Sequence, residues 1–380
     1  MGGVADYSGA LVLEMPLRLT TRVTLGELPR NGFVFESPSE GEWVVAPGTP
    51  AAEVPKWVRY SYGCFLLFSE AWRWRPRAGL RFSIRSNVPA SMGVSSSAAL
   101  EVSTIRALEK ISGRKFRGTA LARLAQRAEN KIVGAPCGLM DQLASAYGVP
   151  GALLPILCRP DILGDAVRLP PGIVAVGWPS GVKHAVTASP YATARAGAFM
   201  GRKMIERATR RRLSYAAELT PAEVRSLGSE VLPLAIRGRD FLARCGGVDD
   251  PLSKIDSGKS YAVRAAVAFP VEENFRSHLA VALLRGAVNS SREEMLRALG
   301  ELLLQSHAGY SSIGLGCPET DEMVAAIRKL GPGRGFYGAR VSGGGSGGTV
   351  VVLLRKTSLP ELSRLSARVK FSSEKRPLLQ

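Results

Sequence analysis

The sequence predicts an α+β fold of two domains. Segments with strand patterning and segments with helix patterning mix without strict alternation, which argues against a doubly wound sheet. The chain has 380 residues, 46% of them hydrophobic, enough for a large core. A Pro-Pro-Gly breaker at 170–172 opens a strand, and the domain boundary is placed beside it. The expected division is an N-terminal domain 1–178, a C-terminal domain 179–370 and a loose tail 371–380.

The elements follow in order. Residues 8–17 and 20–28 read as two early strands, and 32–37 and 42–47 as shorter ones. Residues 55–72 read as a helix, with Trp57, Tyr60, Cys64 and Leu67 on one face. Residues 80–91 are a strand running into a loop. Val102, Ile105, Leu108 and Ile111 keep helical spacing, as do Leu121, Leu124, Ala125, Ala128 and Ile132. Residues 143–158 carry a helix end, a Val-Pro-Gly turn and a strand, and 170–180 another strand. Several helices follow, then a strand pair over 338–354 and an amphipathic end over 359–369. There is no internal repeat.

Charged residues make up 22% of the chain, which excludes general disorder. The net charge of +18 favours polyanions in principle. The basic residues are spread along the chain, however, and Arg207, Arg210, Arg211 and Arg212 read as a solvated helix end. With no motif of interleaved aromatics, no nucleic-acid partner is expected. Five cysteines without a C-x-x-C pair argue for a reducing compartment and against a zinc site. Three scattered histidines do not make a metal cluster. No apolar run approaches membrane-spanning length, and the first residues lack a signal-peptide pattern. A soluble cytoplasmic protein without membrane contact is the expectation.

Three glycine-rich stretches remain. In residues 87–103 a strand enters a small-residue loop and a helix follows. Backbone N–H groups and a helix N-terminus there suit a phosphate chain, with Ser95, Ser96 and Ser97 supplying hydroxyls. Three serines after Gly93 exceed what capping alone requires. Residues 343–348, Gly-Gly-Gly-Ser-Gly-Gly, are followed by a strand, so they are not a dinucleotide fingerprint. They read either as a flexible hairpin turn or as backbone in close approach to another segment or a ligand. Residues 256–260, Asp-Ser-Gly-Lys-Ser, imitate a P-loop but have Ser253 where its first glycine belongs.

Two acids stand out between 121 and 148. Glu129 lies near a helix end. Asp141 sits among Leu139, Met140 and Leu143, where a carboxylate is either paired or functional, or caps the next helix. A phosphate cradle with two acids suggests phosphoryl transfer. One acid would hold Mg²⁺ and the other would receive the proton of an attacking hydroxyl.

These stretches resemble the GHMP kinases, within them the galactokinase branch. The family motif P-x-G-x-G-L-S-S-S-A-A is similar to residues 89–99, with Ser91 in place of its first glycine. The pattern A-E-x-x-x-x-G-x-P-C-G-I-M-D-Q is matched over 128–142 with Leu139 for Ile, and the third motif at Gly343, Gly344, Gly345, Gly347 and Gly348. The resemblance implies an N-terminal domain like that of ribosomal protein S5, a ferredoxin-like C-terminal domain, and ATP between them. It makes Asp141 the catalytic aspartate and Ser97 and Glu129 the Mg²⁺ ligands. Gly93, Ser95, Ser96 and Ala98 fall in the ATP loop, and the Gly138 backbone touches the sugar. Trp57 packs near adenine or is a plain core aromatic.

The first motif of galactokinases, G-E-H-T-D-Y-x-G, aligns with residues 2–9. Asp6 survives as the ligand of ring hydroxyls. The Glu and His that hold the C6 hydroxyl become Gly3 and Val4, as a pentose kinase would need. Residues 181–205, 260–276 and 335–353 are similar to the kinase domain of plant L-arabinokinases, with Tyr191 as the sugar-contacting tyrosine or a core aromatic. The resemblance therefore implies an ATP- and Mg²⁺-dependent sugar 1-kinase acting on L-arabinose. The alternatives are D-galactose as substrate, or a silent sugar- and ATP-binding sensor. The family also carries an Arg nine residues before the aspartate aligned with Asp6, a position that falls before Met1. The expectation is that Met1 is an internal methionine of a longer protein, or that the start is genuine and Lys183 or another base supplies the charge.

Overall fold

The computed structural model describes residues 1–135, 137–182, 189–286, 291–368 and 378. Its first half contains β1 (Leu11–Glu14), β2 (Thr21–Leu28), β3 (Phe33–Ser37), β4 (Gly41–Val45), α1 (Lys56–Trp72), β5 (Gly79–Ser86), α2 (Ser96–Ser112), α3 (Ala120–Arg127) and α4 (Met140–Tyr147). Next come β6 (Ala152–Leu157), β7 (Ile162–Leu163), β8 (Val167–Arg168), β9 (Ile173–Pro179), α5 (Ser189–Thr209), α6 (Pro221–Ser226), β10 (Ile236–Arg237), α7 (Gly238–Cys245) and β11 (Ser260–Tyr261). The chain ends with α8 (Val263–Leu284), α9 (Arg292–Ser312), α10 (Pro318–Leu330), β12 (Phe336–Val341), β13 (Thr349–Arg355) and α11 (Leu359–Arg368). The mixture is α+β, and the early strands, α1 and the β12–β13 pair all fall where the patterning puts them.

The chain divides into two compact units, and the division is discontinuous in sequence. The larger unit takes Met1–Met15, Ser91–Gly93 and Val149–Gln380, and the smaller takes Pro16–Ala90 and Val94–Gly148. The boundary expected at 178/179 lies inside the larger unit, within β9. Of the expected tail 371–380, only Leu378 is among the described residues.

In the smaller unit the sheet order is β2-β5-β3-β4, with β3 and β5 parallel and the other pairs antiparallel. The register sets Val23 opposite Ile84, Leu25 opposite Phe82, and Phe33 and Phe35 opposite Leu80 and Phe82. Side chains alternate along a strand, so these apolar groups share one face. They form one core with Val58, Tyr62 and Phe68 of α1 and Val102, Ile105 and Leu108 of α2. The Phe35 and Phe82 rings stack at 4.5 Å.

In the larger unit β1 pairs antiparallel with β6, and β13 lies between β12 and β9. Helices α9 and α10 pack on β12, and α8 packs on both α5 and α9. Between them lies Glu273 of α8, with no exposed surface. Its Oε1 accepts from the Gly2 N–H at 2.9 Å, the Ser306 hydroxyl at 2.6 Å and Arg340 Nη1 at 3.3 Å. Its Oε2 accepts from Arg276 Nε at 2.8 Å. Burial opposes its ionisation, but Arg340, Arg276 and Ser306 outweigh that and hold the carboxyl below the usual range. Removing one partner of such a cluster strands the others. Glu273→Gln is therefore expected to cost about 3 kcal/mol or more, read as a fall in the urea midpoint of the full chain.

Candidate active site

Strand β5 ends at Ser86 and the chain reaches α2 through a small-residue loop. Ser91, Gly93 and Ser95 all have left-handed backbone, with φ of 60°, 67° and 60°. A serine held there costs about 1 kcal/mol, so the surroundings dictate it. Ser95 occupies the N-cap of α2, yet its side chain makes no capping bond. The capping explanation for the serines thus fails at its first residue. The first-turn N–H groups, including that of the buried Ala98, keep the partial positive charge that an anion takes up.

Glu129 belongs to a feature the periodicity did not reveal. The pattern over 121–132 predicts one continuous helix, but α3 ends at Arg127 and a π-helical turn, Ala128–Val133, continues it. The wider turn carries Glu129, 7% exposed, and closes on Gly134 with φ 78°. Single π turns are frequent at functional sites. Glu129 Oε2 accepts from Gln142 Nε2 at 2.7 Å and from the Cys137 thiol at 3.3 Å, and the Ser97 hydroxyl bonds the same carboxyl. The two residues expected to share a cation are thus in contact.

Sequence reading missed the neighbouring acid, Glu101. It lies on α2 four residues after Ser97, is fully buried, and accepts from the same Gln142 Nε2 at 3.3 Å. Burial, then the Glu129 carboxylate, push its pKa well above the ordinary value, and burial likewise raises that of Glu129. Among the described residues Glu101 Oε1 has no hydrogen-bond partner. Only the run from Ser97 to Glu101, one helical turn, pointed toward it.

Asp141 is half-buried in the first turn of α4, whose N-cap is Leu139. The helix-capping alternative for Asp141 is therefore corrected. Its charge is among the influences on both Glu101 and Glu129. The turn before it is pinned by Asn130, whose Oδ1 accepts from the Cys137 N–H at 2.8 Å, and by Gln126, which donates to the Cys137 carbonyl at 3.2 Å. Gly138 is next along. Trp57 is partly buried against the core of the smaller unit.

The larger unit holds the remaining expected residues. A 3₁₀ turn, Gly3–Ser8, carries Gly3, Val4 and Asp6, and Asp6 is 6% exposed. Asp6 Oδ1 accepts from the Tyr7 N–H at 2.7 Å. The Asp6 charge adds to burial in pushing up the hydroxyl pKa of Tyr191, at the start of α5. Tyr191 is also bonded by Arg195 one turn on. Arg195 lies 5.1 Å over the Tyr7 ring and makes a two-point bond to Asp250, at 2.8 and 2.9 Å. Val4 is a core residue, 1% exposed, in one cluster with Tyr191, Phe269 and Tyr310. Lys183 lies outside the described residues.

The glycine stretch 343–348 is packed. Gly343, Gly345, Gly347 and Gly348 all have positive φ. A Cβ on Gly345 would stand 2.5 Å from the Leu315 carbonyl oxygen, and one on Gly348 3.1 Å from that of Met92. Thr349 Oγ1 donates to Met92 O at 2.8 Å. Of the two readings of this stretch, close backbone approach is the one that fits. The Asp-Ser-Gly-Lys-Ser imitation at 256–260 is a turn, with the Gly258 N–H donating to Asp256 Oδ1.

The donor chemistry fits Mg²⁺ and ATP. Ser97 and Glu129 offer hard oxygen ligands. Among the described residues no group of three or more His, Cys, Asp or Glu is placed to hold a metal. Mg²⁺ bound with substrate phosphates takes only one or two protein ligands. No described helix is long and apolar enough to cross a membrane. In the cluster around Arg195, burial opposes Asp250's ionisation, but Arg195 and Ser253 outweigh it and hold its pKa low. The stability this pair contributes is present above the ordinary carboxylate value and lost as pH falls through the lower folded value. Asp250→Asn is expected to cost roughly 3 kcal/mol at pH 7 and progressively less in acid, measured by urea unfolding across pH.

Comparison with known proteins gives the same lineage. The GHMP kinases N terminal domain is matched over residues 59–149 and the GHMP kinases C terminal domain over 284–367. An L-arabinokinase of Arabidopsis thaliana is 31% identical over the whole chain, which spans 44% of that protein's length. A galactokinase of Streptomyces coelicolor is 30% identical over 84% of this chain and 71% of its own. The crystal structure of Lactococcus lactis galactokinase complexed with galactose shares the fold at a TM-score of 0.79 and 20% identity, covering 96% of this chain and 85% of that one. With its two-domain fold, its serine loop and its acids in the family's order, the chain belongs to the GHMP kinases, among the sugar kinases of the galactokinase and L-arabinokinase type.

Proposed function

We propose that the protein is an ATP-dependent sugar 1-kinase whose substrate is L-arabinose. The observation that carries the phosphoryl-transfer reading is the uncapped N-terminus of α2, with Ser97 bonded to the π-turn carboxylate Glu129. The N–H groups of Ser96, Ser97 and Ala98 take the phosphate chain, with Ser95 and Gly93 shaping the loop. Ser97 and Glu129 hold Mg²⁺, which when bound neutralises charge on the phosphate oxygens. Asp141 receives the proton of the anomeric hydroxyl. The hydroxyl oxygen then bonds to the γ-phosphorus, and the bond from that phosphorus to the β-phosphate oxygen breaks, releasing ADP. The Gly138 backbone touches the sugar, Trp57 flanks the adenine, and Asp6 and Tyr191 contact the ring.

The pentose assignment rests on Gly3 and Val4. Galactokinases grip the C6 hydroxyl with a Glu and a His at these places. L-Arabinopyranose has the ring-hydroxyl pattern of D-galactose without the hydroxymethyl group. The likeness to a plant L-arabinokinase supports this reading. D-Galactose is the second reading, favoured by galactokinase relatives matched over most of their own length. A solution-phase setting in the cytoplasm goes with either.

Two measurements test the reading. Asp141→Asn is expected to lower kcat by 10³-fold or more while ATP still binds, and Glu129→Gln to raise the Mg²⁺ requirement more than the sugar KM. An unchanged kcat, or an effect of Glu129→Gln confined to sugar, would remove these residues from their roles. A sugar panel with ATP and Mg²⁺ should show L-arabinose preferred over D-galactose by about 10²-fold in kcat/KM. A preference for galactose overturns the pentose assignment.

A further inference from the structure

Gln142 follows Asp141 in the first turn of α4, and it has no exposed surface. Its Nε2 donates to Glu129 Oε2 at 2.7 Å and to Glu101 Oε2 at 3.3 Å, and lies 3.6 Å from the Cys137 sulfur. Separate pieces of the chain thereby meet at one nitrogen: α2 through Glu101, the π turn through Glu129, and α4 through Gln142 itself. All of them belong to the smaller unit.

The arrangement carries a cost that packing does not explain. Among the described residues Gln142 Oε1 is buried with no hydrogen-bond partner. A buried carbonyl oxygen without a donor is unfavourable, and a methionine of similar length would avoid it. The side chain is therefore fixed by what its nitrogen holds, and the shorter of the two bonds goes to Glu129. The Cys137 thiol donates to the same Oε2 at 3.3 Å. With two donors on one oxygen, the Glu129 carboxylate cannot turn about its last bond without breaking both. The Ser97 hydroxyl bonds this same carboxyl. Groups that hold a ligating carboxylate in this way orient it toward its metal.

We infer that Gln142 is a positioning residue for phosphoryl transfer: from the turn that carries Asp141, its amide nitrogen holds the Glu129 carboxylate ready for Mg²⁺ beside Ser97. It acts through Glu129. Because Asp141 and Gln142 are adjacent, one hydrogen bond then ties the metal ligand to the backbone of the proton acceptor. The inference rests on the proposed reading that Ser97 and Glu129 hold Mg²⁺ and that Asp141 takes the proton.

The test compares the full chain with Gln142→Met, which keeps the length but has no donor, and Gln142→Asn, which keeps the amide but withdraws it by one methylene. ATP binding without sugar is read by calorimetry over a range of Mg²⁺ concentrations. Thermal unfolding without Mg²⁺, and kinetics with whichever of L-arabinose and D-galactose the wild type prefers, accompany it. For Gln142→Met the Mg²⁺ concentration at half-maximal ATP binding is expected to rise about tenfold and kcat to fall about tenfold, with the sugar KM within about twofold of the wild type. The unfolding midpoint is expected to change little, because the stranded oxygen leaves with the amide, and excess Mg²⁺ is expected to recover most of the lost kcat. Gln142→Asn is expected to move the Mg²⁺ requirement the same way, and carries the test if the Met variant does not fold. An unchanged Mg²⁺ requirement in a folded variant overturns the inference, and so does a parallel loss of ATP and sugar binding that Mg²⁺ does not recover. Failure of both variants to fold makes Gln142 a structural residue and overturns it as well. These outcomes leave the wild-type kinase reading intact. A wild type whose ATP binding and turnover ignore Mg²⁺, or that phosphorylates neither sugar, overturns the proposed function, and this inference with it.

Discussion

The larger unit is organised around a charge with no access to water. Glu273 could not remain ionised by itself in that position, and its neighbours are arranged to keep it so. Its four hydrogen bonds come from the chain's second residue, its own helix α8, helix α9 and strand β12. These elements also pack against one another, and through one carboxylate they acquire a common fixed point. Arg340 passes the restraint on to Tyr310, and Tyr310 to the glycine turn at Gly343. The 3₁₀ turn with Asp6 is thereby tied to the β12–β13 hairpin, although more than 300 residues separate them in sequence.

The smaller unit works by the opposite electrostatic logic. Glu101 and Glu129 are buried side by side with a glutamine bridging them, and burial raises the pKa of both. Such a pair is expensive for the chain alone. It is well suited to an oxygen-liganded cation arriving with a polyanion, as the proposed function requires. The π turn fits the same view, since an unbroken α-helix would aim Glu129 in another direction.

Local chemistry was legible in the sequence where it is set by short-range pattern. The strands at Ile173–Pro179 and Thr349–Arg355 are runs of apolar residues between breakers, and they appear as written. Helix α1 was found from Trp57, Tyr60, Cys64 and Leu67, although Ser61, Tyr62, Phe65 and Phe68 are buried on it as well. Ser97, Glu129 and Asp141 stood out in the sequence because small residues and turns surround them. Glu101 did not, because a glutamate on a helix looks solvated until the packing around it is known. The glycine stretch read equally well as a loose turn, since only the third dimension puts Leu315 and Met92 against it. The division into units was illegible for a similar reason. The first fifteen residues join a part of the chain that begins at residue 149.

That return of the chain bears on synthesis. Strand β1 pairs residue by residue with β6, Leu11 opposite Leu157, so its partner strand is made about 150 residues after it. The smaller unit, almost entirely contained between residues 16 and 148, is complete before then. Its sheet and helices are free to settle on the nascent chain while an apolar strand, Leu-Val-Leu, waits upstream with its edges open. The slow step in maturation then belongs to a closure of high contact order, and the waiting strand is the segment that chaperones would need to shield.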